Sequence, residues 1–165
     1  MKLKKYRSWI LCTLIVASVI GFAVLGAREP EGVVKLSSMG NKHLDSINQQ
    51  HEPYNSNPPT SGPHVGTITQ WGINKEIIPD EIQIHNLEDG GVIVQYNPDK
   101  LPKEEWARLE EVVMGTNRKR VIIAPRYNMD APIVLTAWTR LMSLESIDQD
   151  KIKEFIIRYE GKDHH

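Results

Sequence analysis

From Ser8 to Ala27 the chain runs twenty residues without a formal charge, behind a start that carries Lys2, Lys4, Lys5 and Arg7. As a helix rising about 1.5 Å per residue, such a stretch is about 30 Å long, the hydrocarbon thickness of a bilayer. Basic residues with no balancing acid mark its cytoplasmic end. The sequence therefore reads as a cytoplasmic tail at 1–7, a single transmembrane anchor at 8–27 and an extracytoplasmic remainder, with the cell membrane as the first partner. A cleaved signal peptide would have a shorter apolar core and small residues at both key positions before the cut, and Leu25-Gly26-Ala27 fails the first of these. Cys12 sits behind Leu11, where a lipidation signal would place a small residue, so it reads as a buried membrane thiol.

Beyond the anchor lie sixteen Lys and Arg against twenty-one Asp and Glu, a net charge of minus five, which disfavours a nucleic-acid partner. The sole cysteine lies in the apolar span, so disulfides and thiolate chemistry are excluded from the exported part. A metal there would have to be held by His, carboxylate, Met or backbone oxygen. The remaining stretch of about 135 residues suits one domain with a real core.

Residues 28–40 read as a tether leading into an edge strand at Val33 to Leu36, followed by a domain at 41–161 and a short tail at 162–165. From Asn41 to Pro63 apolar periodicity is absent, and Pro53, Pro58, Pro59, Gly62 and Pro63 exclude helix and central strand. A loop this long in a compact domain is usually functional or disordered, and its prolines favour the first. Ile82, Ile84 and Leu87 suggest a short strand ending near His85. Gly91 to Tyr96 reads as a buried strand, Pro102 to Gly115 as a helix, Arg120 to Ala124 and Ile133 to Trp138 as further strands. A capping-box spacing at Ser146 and Gln149 opens a last helix with the apolar stripe Ile152, Phe155, Ile156 and Tyr159. The expected class is α+β, a single domain with a mixed β-sheet and two main helices. The order echoes half of a thioredoxin-like fold without its cysteine pair.

Four of the six histidines, His43, His51, His64 and His85, fall between Asn41 and Asn86, and two of them adjoin stiff backbone. Such restriction lowers the cost of gathering imidazoles around an ion. The motifs Pro58-Pro59-Thr60-Ser61-Gly62-Pro63-His64 and His85-Asn86-Leu87-Glu88-Asp89-Gly90-Gly91-Val92, with Thr136-Ala137-Trp138 after Ala124-Pro125, carry a resemblance. Over about Asn41 to Gly161 the chain resembles an uncharacterised bacterial family of exported, membrane-anchored domains with PPTSGPH and HNLEHGG motifs. The resemblance implies class and topology rather than an activity. Its pattern matches at His43, His64 and His85, but it usually has a further histidine where this chain has Asp89.

These residues suggest a metal site of His43, His64 and His85 with Asp89 or Glu88 as an oxygen ligand, His51 in reserve and Met129 as a soft donor, Met39 being weaker. The two spacings of 21 residues match no short ligand motif. Imidazole suits copper, zinc or nickel, and in an exported domain copper is placed ahead of zinc. The same histidines equally suit a structural role, hydrogen-bonding the proline-rich loop to the sheet edge. Met129 alone fits a loop residue touching the core, and His164 and His165 a solvated tail.

Enzymatic patterns are weak: Ser61 near His64 lacks a nucleophile elbow, and Glu88 with Asp89 on an extended segment would point to opposite faces. No catalytic residue is assigned. The expected function is metal binding by a membrane-anchored domain, with a metal-handling or envelope protein as partner. The alternative is a structural or interaction domain whose proline-rich loop presents a surface, and an enzyme is the third reading.

Overall fold

Val92 to Tyr96 is buried on both faces, and this run, opened by the β-branched Val92, Ile93 and Val94, sits in the middle of a six-stranded sheet. The computed structural model describes residues 29–165. The anchor expected at 8–27 and Cys12 lie outside them, and among the described residues no helix is long and apolar enough to cross a membrane. Residues Gly32–His165 form one compact unit. Its elements are β1 (Val33–Lys35), β2 (His43–Leu44), β3 (His64–Val65), β4 (Gly72–Ile73), α1 (Asp80–Glu88), β5 (Val92–Tyr96), α2 (Lys103–Met114), β6 (Val121–Pro125), β7 (Ile133–Ala137), β8 (Arg140–Leu144) and α3 (Gln149–Tyr159).

The large sheet runs β1-β8-β7-β5-β6-β4 and is mixed. Helix α2 connects β5 to β6, and the two strands are parallel, as a crossover connection requires. Strand β7 returns antiparallel beside β5 rather than beside β6. β1 is an edge strand on β8, a strand that the sequence reading lacked. Side chains alternate across the sheet. Val92 and Val94 of β5 and Val121 and Ile123 of β6 pack with Leu109 and Val113 of α2 and with Ile152, Phe155 and Ile156 of α3. Each large apolar side chain so buried contributes about 1.5–3 kcal/mol. Ile93, Ile122 and Ala124 face the other way, where they meet Ile78, Leu87, Trp71 and Trp138. The domain is thus a mixed α+β fold with α1 on one face of the sheet and α2 and α3 on the other.

Three helices are present among the described residues, not two, because the strand expected near His85 is helix α1. Two apolar residues in alternation cannot separate strand from helix. Pro79 at the N-cap with Asp80 and Glu81 in the first turn is a helix start, and Ile84 and Leu87 at i and i+3 bury one face. The last helix also begins later than expected: Asp148, not Ser146, caps it by accepting from the Lys151 amide at 3.0 Å.

Candidate metal centre

The proline-rich loop is built against residues 37–42. The Ser61 hydroxyl accepts from the Met39 amide at 3.0 Å, the Gly62 amide donates to the Gly40 carbonyl and the His64 amide to the Lys42 carbonyl. Tyr54 donates its hydroxyl to the Pro63 carbonyl at 2.6 Å, and its ring packs on His51. Gly62 has φ of 130°, and a Cβ there would stand 3.0 Å from the Tyr54 ring, so only glycine fits this corner. Arg126 braces the loop from the sheet: it donates to Asn57 Oδ1 at 3.0 and 2.7 Å and forks onto both carboxylate oxygens of Asp80.

These contacts align two short strands. β2 and β3 pair in parallel with His43 opposite His64, which sets the two imidazoles side by side, ring centroids 4.8 Å apart. Helix α1 supplies the remainder, because His85 and Glu88 are three residues apart and share a face. The His85 ring lies 5.4 Å from that of His43 and 5.1 Å from that of His64. Glu88 Oε2 lies 2.9 Å from His64 Nε2, 3.7 Å from His43 Nε2 and 3.8 Å from His85 Nδ1. The His64 and Glu88 side chains are 0% exposed, that of His85 13% and that of His43 54%.

These four residues form a cluster that could hold a metal ion, each offering one ligand atom and all within 4.8 Å of one another. Bonds of about 2.0–2.1 Å in a tetrahedral site set ligand atoms about 3.3 Å apart, so a modest contraction of this cluster brings its four atoms to bonding distance of one ion. The hydrogen bonding fits a cation. His64 Nδ1–H donates to the Gly62 carbonyl at 2.8 Å, which leaves the Nε2 lone pair of the neutral ring facing a carboxylate oxygen. Two acceptors at that distance require a proton or a metal ion between them. A backbone carbonyl on the far ring nitrogen is also the usual support of a ligating histidine. His85 Nδ1, 3.8 Å from Glu88 Oε2, is buried without a hydrogen-bond partner, and so is Glu88 Oε1, so the protein alone does not satisfy the polar atoms of this cluster. Desolvation holds the His85 pKa below the ordinary histidine value, reinforced by the neighbouring His64 and His43 and opposed by Asp89 and Glu88, so the ring stays in its ligating neutral form.

Of the other candidates, Asp89 stands beside the cluster, grouped with His85 and His165, and its Oδ1 lies 2.8 Å from His165 Nε2. His51 is apart, with its ring nitrogens on the Glu52 carbonyl and Glu81 Oε1. Met129 is packed in the core with Ala131 and Val134, so its thioether does not join the histidines. Met39 Sδ accepts from the Asn55 amide. His164 and His165 are exposed, as expected of a tail, but they are fastened to the domain. The His164 amide donates to the Glu88 carbonyl at 2.9 Å, its ring stacks on Trp138, and burial pushes its pKa down. The sequence signal that distinguishes Glu88 from Asp89 is the helix start at Pro79-Asp80-Glu81, which places Glu88 on the His85 face. No spacing rule points to His165.

No curated protein and no solved structure matches the chain. The model of a family described as Protein of unknown function (DUF3105) matches residues 46–165, a stretch that holds His64, His85, Glu88 and His165 and begins just after His43. That match covers most of the sequence, and the chain belongs to this family.

Proposed function

We propose that this protein is a membrane-anchored metal-binding module that captures a divalent cation on the extracytoplasmic side of a bacterial cell membrane through His43, His64, His85 and Glu88. The observation that supports it most is the convergence of three imidazoles on a fully buried carboxylate whose second oxygen has no partner. A buried charge costs several kcal/mol unless it is compensated, and a cation at this point compensates it. Three imidazoles and one carboxylate suit copper(II) or zinc(II), with copper(II) ahead by the intrinsic affinity order. Copper(I) is disfavoured, since the Met129 thioether lies in a separate core cluster. The charge-free stretch at 8–27 behind four basic residues supports the anchor and its orientation. The exported side then brings the site to ions of the envelope and to a metal-handling protein that supplies or receives them.

The 2.9 Å approach of His64 to Glu88 also favours a second reading, in which the cluster is a strut holding the proline-rich loop of an interaction domain. One experiment separates the two. Detergent-solubilised full chain without an affinity tag is titrated with copper(II) and zinc(II) against a chelating competitor, beside His64→Ala and His85→Ala. One tightly bound equivalent in the wild type, lost in both variants, is the expected result. Equal, weak uptake by all three proteins overturns the metal reading.

A further inference from the structure

Glu88 Oε2 faces a fourth imidazole as well: His165 Nδ1 lies 3.6 Å from it, as near as His43 Nε2 at 3.7 Å. We infer that His165 is a further ligand of the ion, aimed by Asp89, and that residues 161–165 form a strap through which the ion enters and leaves. This rests on the metal-binding reading.

Three observations carry it. The first is the ring's orientation. Asp89 Oδ1 is an acceptor, so His165 Nε2 carries the hydrogen of their 2.8 Å bond, and Nδ1 is the ring nitrogen turned toward Glu88, where it can ligate by giving up any proton it holds. A carboxylate behind an imidazole whose other nitrogen faces the ion is the arrangement that fixes the tautomer of ligating histidines and raises their basicity. Asp89 is then a positioning residue rather than a ligand.

The second is that the strap is fastened at two points leading up to His165. The Gly161 amide donates to the Gly90 carbonyl at 2.8 Å and the His164 amide to the Glu88 carbonyl, while the His164 ring lies on Trp138. Gly90, at φ of 77°, admits the strap because a Cβ there would meet the Lys162 backbone at 2.8 Å. The segment is therefore shaped to the α1 terminus that carries Glu88.

The third is the gradient of exposure. His64 and Glu88 make a sealed floor, whereas the His43 and His165 side chains are 54% and 48% exposed. The rim ligands are the ones that a receiving protein or chelator can displace first. With His165 the set becomes four nitrogens and one oxygen, the type of shell that copper(II) accepts in tetragonal geometry.

The test loads the full chain with one equivalent of copper(II) and records the electron paramagnetic resonance spectrum, the affinity against a chelator and the rate of release to it. His165→Ala is expected to keep one equivalent, lose one nitrogen from the spectrum, and bind about 10- to 100-fold more weakly with correspondingly faster release. Asp89→Asn should keep the nitrogen count and show a smaller loss. If His165→Ala retains the wild-type spectrum, affinity and release rate while His85→Ala loses the ion, the strap inference is overturned and the three-histidine site stands. If the wild type takes up no ion, both fall together.

Discussion

Replacing Glu88 by glutamine separates a metal centre from a structural strut by the sign and size of two stability changes. Glutamine has the volume of glutamate but no charge, and its amide can donate to the His64 Nε2 lone pair 2.9 Å away. In chelator, the wild type must hold a proton between those atoms, while the variant holds an ordinary neutral hydrogen bond between a neutral imidazole and an amide. Removing both buried charges at once is close to neutral, so the metal-free variant should stay within about 1 kcal/mol of the wild type. With zinc(II) at a hundredfold excess over its dissociation constant, the wild type gains about 2.7 kcal/mol. For a domain of this size that gain is a rise of about 10 °C in melting temperature, and Glu88→Gln should forfeit most of it. Thermal unfolding followed by circular dichroism, in chelator and in zinc(II), reads both quantities. A loss of about 3–5 kcal/mol for Glu88→Gln in chelator, with no metal-dependent shift in the wild type, would refute the reasoning and identify a buried ion pair whose work is structural.

Other outcomes follow from the same geometry. Gly62→Ala places a Cβ at φ of 130° against the Tyr54 ring, so it should lower stability by about 1–3 kcal/mol and weaken metal uptake by displacing the carbonyl that holds His64, measurable by denaturant unfolding and by competition titration. Arg126→Ala removes the fork that joins Asn57 to Asp80; a loss of about 1–3 kcal/mol is expected, with Arg126→Lys restoring little of it because an ammonium cannot reproduce the planar fork. The depressed His85 pKa means that the unfolded chain takes up this proton first, so stability in chelator should be fully present above pH 6.5 and fall as the pH drops through the lowered folded value. His85→Gln should flatten that part of the pH profile. His165 behaves oppositely, its pKa raised chiefly by the Asp89 hydrogen bond, and its ring resonances should titrate above the usual histidine range until Asp89→Asn returns them to it.

Much of this architecture was legible because its strands and two long helices announce themselves by burial period and by punctuation. Val92 to Tyr96 is bounded by glycine and Asn97-Pro98, and the stripe through Ile152, Phe155 and Ile156 is helical by spacing alone. Helix α1 was hidden because its buried face includes Gln83, Asn86 and Glu88, polar residues that blur any apolar period. That blur also hid the identity of the carboxylate that meets the histidines. His64 and His85 stand out by their place beside stiff backbone and His43 by the family resemblance, but the apposition of His43 and His64 depends on a two-residue parallel pairing that no periodicity encodes. β8 escaped notice because Arg140 to Leu144 mixes exposed and buried positions after the tight turn at Thr139, whose φ is 58°. His165 is a long-range partner of Asp89, 76 residues away, and its role becomes visible only when the strap is seen lying on Gly90.

The central claim is that imidazoles from β2, β3 and α1 share one ion with Glu88, and X-ray absorption at the zinc edge of full chain loaded with one equivalent reads that shell directly. A first shell of nitrogen and oxygen at about 2.0–2.1 Å with the outer-shell pattern of at least three imidazoles is expected, and that pattern should be lost in His64→Ala. A shell of oxygen alone, the same in wild type and variant, would contradict it.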